Sequence, residues 1–268
     1  MKKIIMTISV ILNSYKRTDY LIEQINSLKN QTIKPKEIFL WNNSTKLIDN
    51  NEIDLEIFSS KNLGVWGRFS LALNASSQYI CLIDDDTIPG KRWFENCIDS
   101  MNSKEGIYGA RGVNFFSKKD YIVVEEKGIY GPCNQIERVD IVGHNWFFKR
   151  DWLPYFWLEM PETEQSKFVG EDMNLSYSLK KYLNLDTFVP PHPKNNKDFW
   201  GGNLEMSLKL GQMDVAISKN EKRLNEMNEA YRFYVSKGLN IHKINHNQMK
   251  GYYLKLKQII KKTLGAII

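Results

Sequence analysis

The sequence is poor in cysteine and has no long apolar run. Its three cysteines, Cys81, Cys97 and Cys133, are far apart in a chain of 268 residues, and no CxxC spacing occurs. This argues against a zinc cluster and a disulfide framework, and it favours reduced thiols in a cytoplasmic protein. No stretch reaches the roughly 18 apolar residues that a membrane-spanning helix needs. The apolar stretch near the start is interrupted by Thr7 and Ser9 and no small-residue cleavage site follows, so we expect a buried strand there rather than a signal peptide.

The composition is that of a globular chain with a mild basic excess. Hydrophobic residues make up 42% and aromatic residues 12% of the sequence, which is enough for a sizeable core. The net charge of +6 suits a phosphate-bearing ligand, an anionic membrane or a nucleic acid, and a solvated basic surface equally well.

The apolar pattern predicts alternating strands and helices in the first 85 residues. Apolar runs predict strands, and apolar residues at helical spacing predict helices, over 4–12, 18–31, 37–41, 55–58, 65–75 and 79–83 in that order. This order predicts an α/β sandwich with a mostly parallel sheet and flanking helices. Later in the chain we expect short strands, a helix at 171–182, a strand at 186–189, mostly helix over 203–237 and a basic amphipathic segment at 249–268.

Polar clusters follow three of the predicted strands, at 13–17, 42–44 and 84–86. Ligands of open α/β sheets bind beyond the carboxyl ends of the strands, so these clusters are expected to line one crevice. The adjacent carboxylates of Asp84, Asp85 and Asp86 repel one another unless water or a cation neutralises them. A hard cation such as Mg²⁺ or Mn²⁺ would accept such ligands. The alternative is an acidic turn before a helix that starts near residue 89, with Asp86 or Thr87 as its cap.

Together the motifs resemble a family-2-type glycosyltransferase of the GT-A fold, over about residues 4–192. The similar segments are the opening strand and turn at 8–17, Asn62-Leu63-Gly64, the DxD segment at 79–86, the stretch at 143–150 and Gly170-Glu171-Asp172. The resemblance implies a metal-dependent enzyme that moves a sugar from a nucleotide-diphosphate donor, expected to be a UDP-sugar, to a glycan or lipid-linked glycan. It also implies inversion at the transferred carbon.

The resemblance also implies roles for individual residues. Mn²⁺ or Mg²⁺ would be bound by Asp86, by Asp84 directly or through water, and by His192, with His242 and His246 as the next candidates. Asp172 would be the general base, with Glu171 beside it, although acidic residues also favour a helix N-terminus for dipole reasons. The acceptor would be contacted by Gly143, His144, Trp146 and Trp200. The nucleotide-sugar would be contacted by Asn13, Ser14, Tyr15, Arg17, Asn42, Asn62, Gly64, Arg68, Asp84 and Asp85.

The sequence departs from the family at Asn42-Asn43, where an aspartate usually reads uracil. An asparagine can still donate and accept at a base edge, so the identity of the base stays open.

We expect a catalytic domain over 1–202 and a helical C-terminal extension over 203–268. Residues 1–105 would form the nucleotide-sugar half of the catalytic domain and 106–202 the acceptor half. The tail at 250–268 could lie on an anionic membrane, at the inner face of the cell membrane, or pack on its own domain. The lysine-, asparagine- and isoleucine-rich composition is compatible with a bacterial enzyme of surface polysaccharide synthesis.

Two alternatives stay open from the residues. The layout of 142–153 and 171–174 also resembles retaining exostosin-type transferases. A non-catalytic module that binds nucleotide or nucleic acid would suit the positive charge. Against nucleic acid as a partner, no lysine and arginine cluster interleaves with aromatics near the expected crevice.

Overall fold

The computed structural model describes residues 6–15, 20–44, 47–48, 50–160, 167–210 and 220–242. Among these residues the strands are β1 Ile8–Ser14, β2 Glu37–Asn42, β3 Leu55–Phe58, β4 Tyr79–Ile83, β5 Gly106–Phe115, β6 Val123–Gly128, β7 Glu137–Val139, β8 Ile141–Lys149 and β9 Asp186–Val189. The helices are α1 Leu21–Lys29, α2 Gly67–Leu71, α3 Trp93–Ser103, α4 Leu153–Phe156, α5 Glu171–Leu183, α6 Leu204–Leu210 and α7 Glu221–Lys237.

The described strands form one sheet in the order β3-β2-β1-β4-β8-β5-β9-β7, with β6 paired to β5. The first four strands are parallel to one another. β8 runs antiparallel between β4 and β5, and β9 pairs parallel with β5. The predicted α/β class is therefore confirmed, with the parallel part in the first half of the chain.

The two central strands of the first half explain where the polar residues lie. In β1 the side chains of Val10, Ile11 and Leu12 are buried, and in β4 every side chain from Tyr79 to Ile83 is buried. Parallel strands covered on both faces carry mainly apolar side chains along their length. Apart from the buried Ser9, the polar side chains of this region therefore lie where the two strands end.

One strand differs from its prediction. Among the short strands expected later in the chain, the sequence predicts separate strands at 139–142 and 146–148. In the structure Val139 ends β7, and β8 runs without a break from Ile141 through 146–148. The polar interruption is a β-bulge, because the register with β5 shifts between Gly109 and Arg111. At the bulge His144 has φ 65°, a left-handed conformation that is uncommon for a residue with a side chain.

The C-terminal helices pack on the rest of the described chain. On α7, Ala230, Tyr231 and Tyr234 are buried in a second apolar cluster with Phe115 of β5 and Met173 of α5. The expected basic tail at 249–268 lies outside the described residues, and so does the candidate ligand His246. Among the described helices, none combines the length and the apolar character needed to cross a bilayer.

Candidate active site

The carboxylates Asp84–Asp86 follow β4 at the centre of the sheet and are held from two directions. The backbone N–H of Asp84 donates to the carbonyl of His144 at 3.0 Å. From α1, the buried amide of Gln24 donates to the carbonyls of Asp84 at 2.6 Å and Thr87 at 2.8 Å. Because β8 and α1 both hydrogen-bond to the backbone of this segment, its position relative to the sheet is fixed.

A histidine from the bulge joins two of these carboxylates. Asp84, Asp86 and His144 each offer one ligand atom, and these atoms lie within 4.8 Å of one another. His144 Nδ1 lies 3.6 Å from Asp86 Oδ1, and it is buried without a hydrogen-bond partner. Oxygen and imidazole donors at these separations fit a divalent cation such as Mn²⁺. We expected His144 on the acceptor side, whereas its ring faces the acidic cluster.

The predicted metal ligand His192 has a different environment. It is fully buried, its Nδ1 lies 2.7 Å from the carbonyl of Pro190, and its Nε2 accepts from the N–H of Gly201 at 3.1 Å. Burial lowers the pKa of His192 to about 4, so the ring is neutral near pH 7. Both ring nitrogens are therefore used to hold the 190–201 connection, and the geometry argues against His192 as a ligand. The next candidate, His242, contacts Asp140 through Nδ1 at 2.5 Å and is also outside the acidic cluster.

Arg68 connects the acidic cluster to α5. Its guanidinium ion-pairs with Asp84, donates to Asn13 Oδ1 at 3.0 Å and donates to Glu171 Oε1 at 2.9 Å. It lies 4.5 Å from the ring of Trp146, and the side chain is only 3% exposed. The expected contact of Arg68 with the nucleotide-sugar does not agree with this arrangement, because its bonds go to protein groups.

Two predicted acceptor residues belong to the core. Trp146 is buried, donates from Nε1 to the carbonyl of Val142 at 2.8 Å and supports Arg68 from below. Trp200 is buried and donates from Nε1 to the carbonyl of Pro193 at 2.8 Å. Neither indole is placed to stack on a sugar, since the apolar packing of the sheet already covers both. Gly143 is half-buried, with open space where a Cβ would stand.

The paired acids open helix α5, which follows Gly170 in the left-handed conformation. Glu171 is buried, and burial raises its pKa while the ion pair with Arg68 opposes the rise. Asp172 is half-buried, and desolvation raises its pKa from the ordinary 3.8 to about 6, against the lowering effect of the Met173 N–H. A carboxylate with a pKa below but near neutrality can accept a proton at pH 7 and is suited to general-base chemistry.

The predicted nucleotide contacts have two kinds of surroundings. Asn42 is fully buried, donates to Glu56 at 2.5 Å and accepts from the N–H of Ser44 at 2.8 Å. Both ends of its amide are thus used within the protein, and a contact with the base is not part of this arrangement. Ser14 is buried with its hydroxyl unpaired, whereas Tyr15 and Asp85 are half-buried.

The glycine-containing loop is shaped by close backbone contacts. Asn62 Oδ1 accepts from the N–H of Gly64 at 2.8 Å, and Gly64 has φ 87°. A Cβ on Gly64 would stand 1.9 Å from the carbonyl oxygen of Lys167, so the loop lies directly against the segment before α5. The remaining predicted contact, Arg17, lies outside the described residues.

Tyr130 is a neighbour of the acidic cluster that the sequence does not predict. The ring centroid of Tyr130 lies 5.9 Å from that of His144. The only sequence signal was a pair of glycines, Gly128 and Gly131, which indicates a tight turn but not where the turn points.

Comparison with protein families gives the class of this chain. The model of the family described as Glycosyl transferase family 2 matches residues 9–156, more than half of the chain. The protein is a glycosyltransferase with a GT-A-type α/β sheet. It belongs to glycosyltransferase family 2.

Solved structures and curated proteins add two observations. The chain is similar to the crystal structure of S. aureus TarS, with 17% identity and a TM-score of 0.47, over 81% of this chain and 41% of that chain. It thus spans less than half of that protein. It is also similar to S. aureus TarS 1-349 in complex with UDP, with 16% identity and a TM-score of 0.49, over 81% of this chain and 68% of that chain. No curated protein sequence matches the chain.

Proposed function

We propose that this enzyme moves a sugar from a nucleotide-diphosphate donor, a UDP-sugar, to a hydroxyl of a glycan or lipid-linked glycan, with inversion. The observation that carries the proposal is the buried guanidinium of Arg68, which joins Asp84 of the acidic cluster to Glu171, the neighbour of Asp172. Glycosyl transfer needs a site for the leaving diphosphate and a base for the acceptor hydroxyl, and this ion-pair bridge holds candidates for both in one crevice.

Asp86 and His144 would hold Mn²⁺ or Mg²⁺, with Asp84 as the third ligand or as a ligand through water. The fit of these residues rests on the separation of their donor atoms and on the unpartnered Nδ1 of His144. A bound cation would supply Lewis-acid stabilisation to the charge that develops on the diphosphate. His144 replaces His192 in this proposal.

The chain's own groups would do the rest of the work. Asp172 would accept the proton of the acceptor hydroxyl, and its raised pKa leaves it largely ionised at neutral pH. Glu171 and Arg68 would fix the first turn of α5 so that Asp172 keeps its position. Tyr15, Ser14, Asn62 and Asp85 would contact or flank the nucleotide.

The wider setting is also a proposal. Residues 1–202 would form the catalytic domain, with a donor half at 1–105 and an acceptor half at 106–202, and the helices after 202 would pack on it as an extension. The tail at 250–268 would contact an anionic membrane surface from the cytoplasmic side, in a bacterium that builds surface polysaccharide.

The test is a screen of UDP-sugars for Mn²⁺-dependent hydrolysis and transfer, with the anomer of the product determined by NMR. Donor turnover that depends on Mn²⁺, with an inverted product, supports the proposal. A retained anomer would favour the exostosin-like alternative, and nucleotide binding that gains nothing from Mn²⁺ would remove the metal site.

A further inference from the structure

Tyr130 lies in a turn that requires glycine at two positions. Gly128 has φ 84°, and a Cβ on it would lie 2.1 Å from the carbonyl oxygen of Ala110. A Cβ on Gly131 would lie 1.9 Å from the carbonyl oxygen of Glu126. The turn closes by backbone hydrogen bonds between these two glycines at 2.8 Å and 3.1 Å. The chain is therefore held tightly against β5, and the position of Tyr130 is fixed by the backbone.

The turn is also anchored on its other side. The N–H of Ile129 donates to the carbonyl of Ala110 at 3.0 Å, and Ile129 itself is fully buried. A Cβ on Gly202 would lie 2.5 Å from Ile129 and 3.1 Å from Thr87, so the turn is wedged next to the end of the acidic segment. Tyr130 is thus carried to the crevice by a rigid support.

The ring of Tyr130 has contacts with both parts of the proposed site. Its ring is 5.9 Å from that of His144 on the metal side. The guanidinium of Arg111 lies 5.1 Å from the same ring centroid, and its charge lowers the pKa of Asp172. Tyr130 therefore contacts one residue of the proposed cation site and one residue whose charge acts on the proposed base.

Arg111 is itself held in place. It ion-pairs with Glu126, with Nε at 2.9 Å from Oε1. In β5 it stands opposite Gly143 of β8, immediately before the bulge. The face of Tyr130 that meets Arg111 therefore lies against a side chain that is itself held in place.

The charges around Tyr130 keep its hydroxyl protonated. Burial raises the pKa of Tyr130, and the carboxylates of Asp86 and Glu126 act in the same direction, against Arg111. The side chain of Tyr130 also lies near Ser207 of α6, a buried residue whose hydroxyl donates to the carbonyl of Asp86 at 3.5 Å. A neutral phenol with a defined orientation is suited to both C–H faces and hydroxyls of a sugar.

The geometry points to Tyr130 as a specificity-determining residue that forms one wall of the pocket for the transferred sugar. This inference rests on the proposed function. In any transfer from a nucleotide-sugar, the transferred ring lies between the metal-bound diphosphate and the acceptor hydroxyl at the base. Tyr130 is an aromatic side chain in contact with His144 of the proposed cation site and with Arg111, so it would contact the sugar and not the nucleotide.

The test compares binding of UDP with binding of UDP-glucose, UDP-galactose and UDP-N-acetylglucosamine, all with Mn²⁺, by titration calorimetry. Tyr130→Ala should weaken the best sugar donor roughly tenfold, as expected for loss of a well-packed aromatic contact. Affinity for UDP should stay unchanged, and the ratio of kcat/KM between donors that differ at one hydroxyl should move towards one. Tyr130→Phe should keep most of the affinity, because it keeps the ring.

Two further variants separate a contact with the sugar from a structural role. Ser207→Ala removes the hydroxyl of α6 that lies near Tyr130 and donates to the Asp86 carbonyl. A loss equal to that of Tyr130→Ala would mean that Tyr130 acts by packing on α6, which overturns the inference. Tyr182→Ala is the matched control, since this exposed tyrosine bonds to Glu159 outside the crevice. Equal losses for UDP and for the sugar donors in Tyr130→Ala, or no loss for either, would also overturn it. A parent enzyme that binds none of the probes would instead overturn the proposed function.

Discussion

Glu171 Oε1 lies 2.9 Å from Nη2 of Arg68, although 103 residues separate the two in the chain. The same guanidinium ion-pairs with Asp84, and the side chain of Arg68 is almost completely buried. A buried charge is tolerated only when opposite charges and hydrogen bonds compensate its lost hydration. The carboxylates therefore depend on Arg68, and Arg68 depends on them.

Replacing Arg68 should cost both stability and activity. In Arg68→Met the carboxylates of Asp84 and Glu171 lose their common partner, and removing one member of a buried pair costs about 3–5 kcal/mol in free energy of unfolding. Urea denaturation of parent and variant measures this cost.

A surface ion pair provides the control. Arg92 pairs with Glu95 on α3, where both side chains reach solvent. Arg92→Met should leave the urea midpoint nearly unchanged, because water replaces the partner. Similar losses in Arg68→Met and Arg92→Met would contradict the structural role of the Arg68 bridge.

Replacing His144 should weaken metal binding. His144→Ala removes a metal-ligand atom next to Asp86. We expect the Mn²⁺-dependent affinity for UDP to fall by roughly tenfold or more, because losing a residue that only hydrogen-bonds to a metal ligand already has an effect of this size. Isothermal titration with and without Mn²⁺ measures it.

A substitution of His192 tests whether His192 or His144 is the metal ligand. His192→Gln should lower the melting temperature, because a glutamine can replace only the acceptor for the Gly201 N–H and loses the Nδ1 contact with the Pro190 carbonyl, while the folded fraction keeps its Mn²⁺ response. A selective loss of Mn²⁺ response in His192→Gln, with His144→Ala normal, would restore His192 as the ligand.

The proposed base predicts a pH profile. Asp172 must be ionised to accept a proton, and its pKa in the folded protein is raised to about 6. The parent kcat should therefore fall with the ionised fraction as the pH drops below about 6, which is a higher pH than an ordinary aspartate would give. Stopped assays between pH 4.5 and 8 measure this limb.

Asp172→Asn should remove most of the transfer rate. A positioned general base contributes roughly 10²–10⁴-fold, and the loss should fall on kcat more than on the donor KM. Asp151→Asn, at an exposed aspartate after β8, is the matched control. A well-folded Asp172→Asn enzyme with the parent's rate would end the assignment and direct attention to Glu171.

The loop at Gly64 should tolerate no side chain. Gly64→Ala meets both a left-handed backbone and the carbonyl of Lys167, so it should lower the free energy of unfolding by more than about 1 kcal/mol. Gly143→Ala is the control, since its Cβ would meet nothing within 4 Å. Equal melting temperatures for the two variants would show that the loop can move away from Lys167.

The sequence was most informative where a residue's surroundings are local. The bounds of β3, β4 and β9 agree with the prediction, because each is a short segment rich in apolar or β-branched residues between polar or turn residues. The position of the Asp84–Asp86 segment followed from β4 in the same way. The order of elements in the first half was enough to predict the parallel part of the sheet.

The errors concern contacts between distant parts of the chain. His192 was preferred because of its place after α5, but the bulge in β8 turns His144 towards Asp86, and a bulge has no reliable mark in a single sequence. Trp146 and Trp200 are predicted as acceptor contacts, whereas the packing that buries them depends on segments far away in sequence. Tyr130 was missed for the same reason.

The placement of β8 limits how this enzyme can open. β8 is bonded on one side to β4, over five paired residues, and on the other side to β5. The two edges of the crevice are thus parts of one hydrogen-bonded ladder, and a hinge between them would have to break it. We therefore expect substrate entry to use loop rearrangement or a small shear of the covering helices, since these motions leave the hydrogen bonds of the sheet intact.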